Sequence, residues 1–414
     1  MKLSRKTHGK TPVVLIEYIG LVLFQPNKEI MKMFRTYGKR AVATILSVAM
    51  LVTMAACGST PADGDNGEAT GGVSFEQVTE PAAEASTEEE TPAESDEPYV
   101  LPEGMYFSEL TGEPISEDIK DQRPIAAMVD NEITALPHFD TTKADVVYEL
   151  MNSTKNDRIT RLMCIVKDWG SIDQLGSIRS TRPTNILLAS EWNAILCHDG
   201  GPYHNDAYFV KDWAKDHISG YFSRVDNGKS REFTEYILNG DIESDIDRFG
   251  ISATYNEFAN EGSHFNFVPY GEEINLDEKY DRSYTANSVV LPFTHNSSQL
   301  RYNAETGLYE YYEYGDQYFD EANGEPLTFK NVILQKCSFA QLDENGYLIY
   351  NCIGSGEYAW YLTNGVAKDC TWAKTSETGV TRYYDETGSE LQINTGKTYI
   401  ALIPDDTWDK VIFE

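Results

Sequence analysis

The stretch ADVVYELMNSTKNDRITRLMCIVKDW, residues 144–169, decides the fold of this chain. Two β-rich runs flank the polar segment STKND, and this pattern predicts an antiparallel hairpin. If Glu149 lies opposite Arg161 in that hairpin, the two side chains form a cross-strand ion pair. A catalytic carboxylate is the alternative interpretation of Glu149. We favour the ion pair.

A helix and a further strand follow the hairpin. Pro183 opens PTNILLASEW, which is typical of a helix with proline at its first position. The apolar run NAILC, 193–197, then predicts a buried strand that ends in HDGG, 198–201. If this strand lies parallel to the strand at 158–169, the helix carries the chain back and both strands end at one edge. The loop GSIRSTRP, 176–183, would then meet HDGG.

That edge has the ingredients of an anion site. Arginine offers a planar fork for phosphate or carboxylate, a helix N-terminus presents free N–H groups, and glycines allow close backbone approach. The alternative is that the arginines bond acidic side chains or loop carbonyls. The residues predicted to bind a ligand are Arg179, Arg182, His198, Asp199, Gly200 and Gly201.

Catalysis is a weaker hypothesis for the same edge. The candidate acids or bases are His198, Asp130 and Glu149. The segment HDGGPYHND contains His198, Asp199, His204 and Asp206, but its spacing matches no established metal motif, so we predict no metal and no cofactor.

The N-terminal region indicates where the protein resides. Residues 31–57 combine a basic start, an apolar stretch of signal-peptide length and the tetrapeptide Met-Ala-Ala-Cys ending at Cys57. This tetrapeptide resembles a bacterial lipobox, which implies cleavage before Cys57, lipid on its thiol and anchoring at the outer face of the cell membrane. An ordinary secretory signal is the alternative. Residues 1–30, upstream of this signal, are interpreted as a spurious extension.

Charge and cysteine usage narrow the classes further. Residues 58–100 hold twelve acidic side chains and no Lys or Arg, which is typical of a disordered tether. The whole chain carries a net charge of −32, which argues against nucleic acid as a partner. Five cysteines follow Cys57 without a C-x-x-C pair, which favours buried free thiols; a bridge from Cys352 to Cys370 is the alternative.

The second half of the chain is predicted to be β-rich. From residue 299 onward, short strand patterns alternate with turn signals such as NAETG, DENG and DETG. LYEYYEYG, 308–315, places Tyr309 and Tyr311 on one strand face, where cross-strand packing is favoured over sugar stacking. We therefore assign a mixed-sheet α/β domain to residues 101–280 and a β-rich domain to residues 281–414.

Several motifs in order resemble one bacterial family. RPIAAMVDN, KADVVYEL, ITRLMCI, GSIRSTRP and HDGG are similar to the N-terminal domain of the YerB-like lipoproteins, and NVILQK, GSGEYAWYLTNG and GKTYIALIP are similar to their C-terminal domain. The resemblance covers nearly all of residues 105–405. It implies an α+β fold whose first domain is a layered ββα sandwich, but it implies no reaction.

Two functional classes follow from these observations. The first is an extracytoplasmic lipoprotein of the cell envelope that binds an anionic small ligand or a cell-wall synthesis protein. The second is an enzyme acting on a phosphorylated or polymeric envelope substrate, with Arg179 and Arg182 holding the anion. The absence of a known catalytic motif favours the first.

Overall fold

The computed structural model describes residues 99–414 of the chain. The predictions for residues 1–30, for the signal with Cys57, and for the tether up to residue 98 lie outside the described residues.

The described part consists mostly of short strands. The strands are β1 Met105–Phe107, β2 Pro114–Ser116, β3 Ile125–Asp130, β4 Val146–Met151, β5 Thr160–Val166, β6 Gln174–Gly176, β7 Ile195–His198, β8 His217–Ser219, β9 Ser223–Arg224, β10 Glu235–Leu238, β11 Asn266–Phe267, β12 Tyr284–Thr285, β13 Ser288–Val290, β14 Gln299–Asn303, β15 Leu308–Glu313, β16 Asp316–Gln317, β17 Thr328–Phe329, β18 Asn331–Cys337, β19 Phe339–Gln341, β20 Leu348–Tyr350, β21 Gly354–Thr363, β22 Val366–Lys374, β23 Arg382–Tyr384, β24 Gln392–Ile393, β25 Thr398–Pro404 and β26 Ile412–Phe413. The α-helices are α1 Pro183–Glu191, α2 Asp206–Phe209, α3 Asp241–Phe249 and α4 Leu276–Lys279.

One mixed sheet of eleven strands organises the fold. Its order is β12-β22-β21-β18-β25-β4-β5-β3-β7-β8, and β23 pairs with β22. β4 and β5 are antiparallel neighbours, so the predicted hairpin is confirmed. β25 lies parallel to both β4 and β18, so strands from both predicted domains share this sheet.

The register of the hairpin corrects the proposed ion pair. Glu149 lies opposite Leu162, and Arg161 lies opposite Leu150. Since successive side chains point to opposite faces, this one-residue difference places Glu149 and Arg161 on different faces of the sheet. The predicted Glu149–Arg161 pair is therefore wrong. On its other side, Arg161 lies opposite Asp130 of β3.

The strands flanking α1 are also related differently from the prediction. β5 runs antiparallel to β3, whereas β7 runs parallel to β3, so β5 and β7 are antiparallel rather than parallel. After β5 the chain returns along the sheet through β6, which pairs with β10 in a separate three-stranded sheet. This return brings the arginine loop to the edge where β3 and β7 end. The loop was predicted to meet HDGG at one sheet edge, and it does so although β5 and β7 are antiparallel.

Both faces of the large sheet are covered, which explains its uninterrupted apolar runs. In β3, Ile125, Ala127 and Val129 belong to a core that also contains Leu300 and Tyr309 of a six-stranded sheet formed by β13 to β17 and β26. Alternate β3 residues belong to a second core that contains residues of α1. The layers are thus sheet, sheet and helix, but the second sheet comes from strands between residues 288 and 413 and not from the first domain, to which the ββα sandwich was assigned. Each large buried apolar side chain contributes about 1.5–3 kcal/mol.

The second half is β-rich, as predicted, and its tyrosines serve packing. Tyr309 and Tyr311 of β15 are fully buried between the two sheets. Tyr309 donates to the carbonyl of Ala286 at 2.9 Å. The five cysteines of the described residues are free and buried, which confirms the free thiols and excludes the Cys352–Cys370 bridge.

Candidate functional site

Backbone hydrogen bonds join the arginine loop to the HDGG turn. The Arg179 N–H donates to the Met128 carbonyl of β3 at 2.8 Å, and its carbonyl accepts from the Asp199 N–H at 3.0 Å. The Thr181 N–H donates to the Gly200 carbonyl at 3.2 Å. The two segments predicted to meet therefore do meet, where β3 and β7 end.

The glycine pair shapes this junction. Gly200 has a positive φ of 74°, which favours glycine. A side chain at Gly201 would collide with the amide of Asn205, which itself donates to the Thr181 carbonyl at 3.3 Å. The glycines thus allow the two loops to approach each other.

Asp130 is the anionic centre of an arginine cluster. Its carboxylate is 1% exposed and lies 3.0 Å from Nε of Arg179 and 3.7 Å from Nε of Arg161. Arg179 also contacts the exposed carboxylate of Glu232 at 3.0 Å. Asp130, a candidate acid or base, is therefore engaged by two cations.

Among residues 99–414, the ion pairs at this edge involve Arg161 and Arg179 but not Arg182. Its guanidinium lies 4.4 Å from the ring of Tyr347, and it donates to the carbonyls of Asn152 and Thr181 at 3.1 and 2.8 Å. Burial, followed by repulsion from Arg161 and Arg179, lowers its pKa to about 9.

Sequence reasoning missed Arg161 as the third cation. Arg161 donates from Nη1 to the Ser180 carbonyl at 2.6 Å and to the Asn152 side chain at 3.2 Å. Within residues 99–414, the hydrogen bonds of Arg161 and Arg182 leave Nη2 of both side chains unused. Pairing β3 with β5 places Asp130 directly opposite Arg161, and this pairing is the observation that would have pointed to Arg161. We define Arg161, Arg179 and Arg182 as the arginine cluster.

Comparison with known proteins agrees with this architecture. Residues 110–252 match the model described as the N-terminal domain of a protein of unknown function, DUF3048, and residues 289–400 match its C-terminal domain. This chain belongs to the YerB-like two-domain family.

One relative, YerB of Bacillus subtilis, matches this YerB-like chain both in sequence and in structure. It is 22% identical to the Bacillus subtilis protein named "Putative lipoprotein YerB" over 72% of this chain and 86% of that protein. The crystal structure of Bacillus subtilis YerB superposes with a TM-score of 0.63 at 20% identity, covering 75% of this chain and 99% of that one. The structural likeness shows the shared fold.

His198 of this YerB-like chain is sequestered from the arginines by its own partners. Its Nδ1 lies 2.7 Å from the Gly200 carbonyl, and its Nε2 lies 3.1 Å from Nδ1 of His217. Burial lowers the pKa of His198 to about 4, so the ring is neutral at physiological pH. Both ring nitrogens are thus used in local structure.

Asp199 shares the guanidinium of Arg224 with a second carboxyl group, that of Glu235. Nη2 of Arg224 contacts the Asp199 carboxylate at 3.0 Å and also contacts the buried carboxyl of Glu235. Burial and the nearby Asp199 raise the pKa of Glu235 to about 7. Sequence reasoning missed Arg224 and Glu235, because nothing local links them to HDGG.

Glu149 lies on the opposite face of the sheet from Arg161 of the arginine cluster. It is fully buried, and its carboxylate accepts hydrogen bonds from Tyr311 at 3.0 Å and from Tyr399 at 2.5 Å. These donors come from the second half of the chain, so a structural network between the sheets takes the place of the incorrect ion pair. The catalytic interpretation of Glu149 stays a prediction.

The described residues also bear on metals and membranes. His204 pairs with Asp343 at 3.1 Å rather than with His198 or Asp206. Residues 99–414 contain no group of three or more His, Cys, Asp or Glu side chains arranged to hold a metal ion.

Within residues 99–414, no helix is long and apolar enough to cross a membrane.

Proposed function

We propose that this chain is an extracytoplasmic lipoprotein, anchored through Cys57, that binds an anionic group at the arginine cluster. The ligand is a small anion or an acidic group of an envelope partner, such as a cell-wall synthesis protein. The observation that carries the proposal is the imbalance of charge contacts. Arg161 and Arg179 share one buried carboxylate, Asp130, and Arg179 also contacts the exposed Glu232, whereas Arg182 donates only to backbone carbonyls.

Electrostatics explains why such a cluster suits an anion. Burying a cation without a paired anion is costly, and neighbouring cations increase that cost. The lowered pKa of Arg182 is a direct consequence of this environment. An anion at the unused Nη2 donors of Arg161 and Arg182 would offset the repulsion through charge-assisted hydrogen bonds.

Binding is favoured over catalysis by the state of the candidate acids and bases. Asp130 is held by Arg161 and Arg179, and both ring nitrogens of His198 are engaged. A binding module needs only the cluster itself, together with a ligand of opposite charge.

Thermal unfolding in the presence of anions tests this function. At a concentration about one hundred times Kd, phosphate or citrate should stabilise the protein by about 2.7 kcal/mol, or about 4 °C in Tm for a fold of this size. Chloride at equal ionic strength should have no such effect.

Two variants locate the response. Arg182→Gln should abolish the anion-dependent rise in Tm. Arg301→Gln is the matched control, because Arg301 also lies over a tyrosine ring, Tyr312 at 4.1 Å, but outside the cluster. An equal response to phosphate in both variants would refute the site.

The anchor is tested separately. The relative's name, which contains the word lipoprotein, and the lipobox resemblance support it. The wild-type protein should incorporate a labelled fatty acid, and Cys57→Ser should incorporate none. Label in this variant at the wild-type level would contradict lipid anchoring through Cys57.

A further inference from the structure

Two adjoining cavities lie away from the arginine cluster. One, of about 420 Å³, lies between α4 and the residues around Tyr302 and Asn364. The other, of about 470 Å³, lies between the 270–273 turn and the 394–397 turn. Both are bordered by Glu273 and Lys330, so they form one groove divided by that ion pair. Each cavity is within the size range of small-molecule sites.

The charges around this groove exclude an anionic ligand. The two cations that line it already have partners. The ammonium of Lys330 contacts Glu273 at 2.7 Å and the Asn364 side-chain oxygen at 2.8 Å, and Lys397 donates to the Thr142 carbonyl. The carboxylates outnumber these cations; they are Glu113, Glu272, Glu273, Asp277 and Glu278.

Aromatic rings stand in both parts of the groove. Tyr302 lines the first cavity and Tyr270 lines the second. The ring centroid of Tyr270 lies 4.7 Å from that of Tyr99 and 5.9 Å from that of Phe107. Tyr99 and Phe107 are 47% and 44% exposed, so they extend the aromatic surface beside Tyr270 beyond the lining of the second cavity.

Polar side chains with fixed orientation complete the lining. The Asn364 amide donates to Glu273 at 3.3 Å and to the Asn275 side chain at 3.3 Å, which holds these acceptors in place. Carboxylate and amide oxygens accept hydrogen bonds from hydroxyl groups, and aromatic faces pack against the C–H faces of ring-shaped ligands. A polar ligand with flat apolar faces satisfies both requirements.

We propose that this groove binds a linear oligosaccharide whose pyranose rings are uncharged or carry amines. A sugar ring packs against Tyr270 in the second cavity, and the hydroxyls of the chain donate to Glu273, Glu113 and Asn275. The excess of carboxylates favours amino sugars over their acetylated forms. This site is independent of the arginine cluster and requires no anion there.

Calorimetric titration of the full chain in detergent tests the proposal with three tetrasaccharide probes. These are a glucosamine tetramer, an N-acetylglucosamine tetramer and a galacturonate tetramer. We expect the first to bind most tightly, with a Kd of about 0.1–1 mM. The second should bind about five- to tenfold more weakly, because it lacks the amines. The galacturonate tetramer should not bind.

Variants assign the binding to the groove. Tyr270→Ala should weaken both neutral and amine-bearing probes about tenfold. Tyr203→Ala is the matched control, since Tyr203 is 71% exposed and lies outside the groove. Glu273→Gln should weaken the glucosamine tetramer more than the acetylated one.

Three results would overturn the proposal. The first is failure of both the glucosamine and the N-acetylglucosamine probes to bind at about 10 mM, ten or more times the expected Kd. The second is equal affinity in Tyr270→Ala and Tyr203→Ala, with the Tm of both variants close to wild type. The third is galacturonate binding as tight as that of glucosamine. None of these results depends on whether phosphate binds at the arginine cluster.

Discussion

Replacing Glu149 by glutamine is expected to destabilise the fold strongly, although the two side chains have the same shape. The Glu149 carboxylate is fully buried between the two sheets. Six donors lie within hydrogen-bond distance: Ser298 at 2.7 Å, Thr160 and Asn296 at 2.8 Å, Tyr311 at 3.0 Å, Tyr399 at 2.5 Å and Asn131 at 3.4 Å. A buried carboxylate with this many donors needs no counter-ion.

The magnitude follows from the donors that glutamine cannot satisfy. Oε1 can remain an acceptor, but an amide nitrogen at the Oε2 position cannot accept from the hydroxyls of Tyr311 and Tyr399. A hydrogen bond to a charged group contributes about 1.5–3 kcal/mol, and losses within one network are not additive. We expect a net loss of about 3 kcal/mol, or about 5 °C in Tm for a fold of this size.

Urea unfolding followed by tryptophan fluorescence measures this loss. Glu243→Gln is the control, because Glu243 is an exposed side chain on α3 and the same chemical change should shift stability by less than about 0.5 kcal/mol. If Glu149→Gln were as stable as this control, the network would not hold the two sheets together as argued.

Two further predictions concern other buried groups. Burial and the Glu149 carboxylate raise the pKa of Glu313 to about 8, so the folded state holds a proton that the unfolded state has lost above its ordinary pKa. Stability should therefore fall by up to about 1.4 kcal/mol per pH unit from about pH 5 to 8, and Glu313→Gln should flatten this slope; an unchanged slope would contradict the assignment. Burial raises the pKa of Cys164 to about 12, and the other four described thiols are also buried, so a thiol reagent should label none of the five before unfolding. Labelling of any of these five cysteines in the native protein would contradict their burial in the fold.

The sequence predicted local elements well, because local elements depend on local patterns. The hairpin of β4 and β5 followed from two apolar runs around a polar turn, and α1 from proline at its first position. The meeting of the arginine loop with HDGG was also correct, although the relation of the flanking strands was wrong. That error arose because the chain after β5 enters β6, a strand of a separate sheet, which pairs with β10 through residues 60 (236 − 176) to 64 (238 − 174) positions later in the chain.

The arginine cluster shows that sequence patterns also predicted only the local part of the candidate site. Arg179 and Arg182 were found by their spacing in one loop. Arg161 lies on β5 instead, and it joins them through its register with Asp130 and its hydrogen bond to the Ser180 carbonyl. His198 was correctly placed at the edge but turned toward His217, a contact that no local pattern indicates.

The sequence by itself determined the two hairpin strands, the strand that ends in HDGG, the first helix and the loops that carry the charged side chains. These features could be predicted because a strand buried on both faces and the start of a helix each produce a sequence pattern that spans only a few residues. Only the tertiary structure decided the register, the partner of each buried charge and the groove around Lys330. The alternation of side chains along a strand predicts which side chains face a packed layer, but it does not predict which distant strand forms that layer. The hydrogen bond from Tyr399 to Glu149, which are 250 residues apart, is an example.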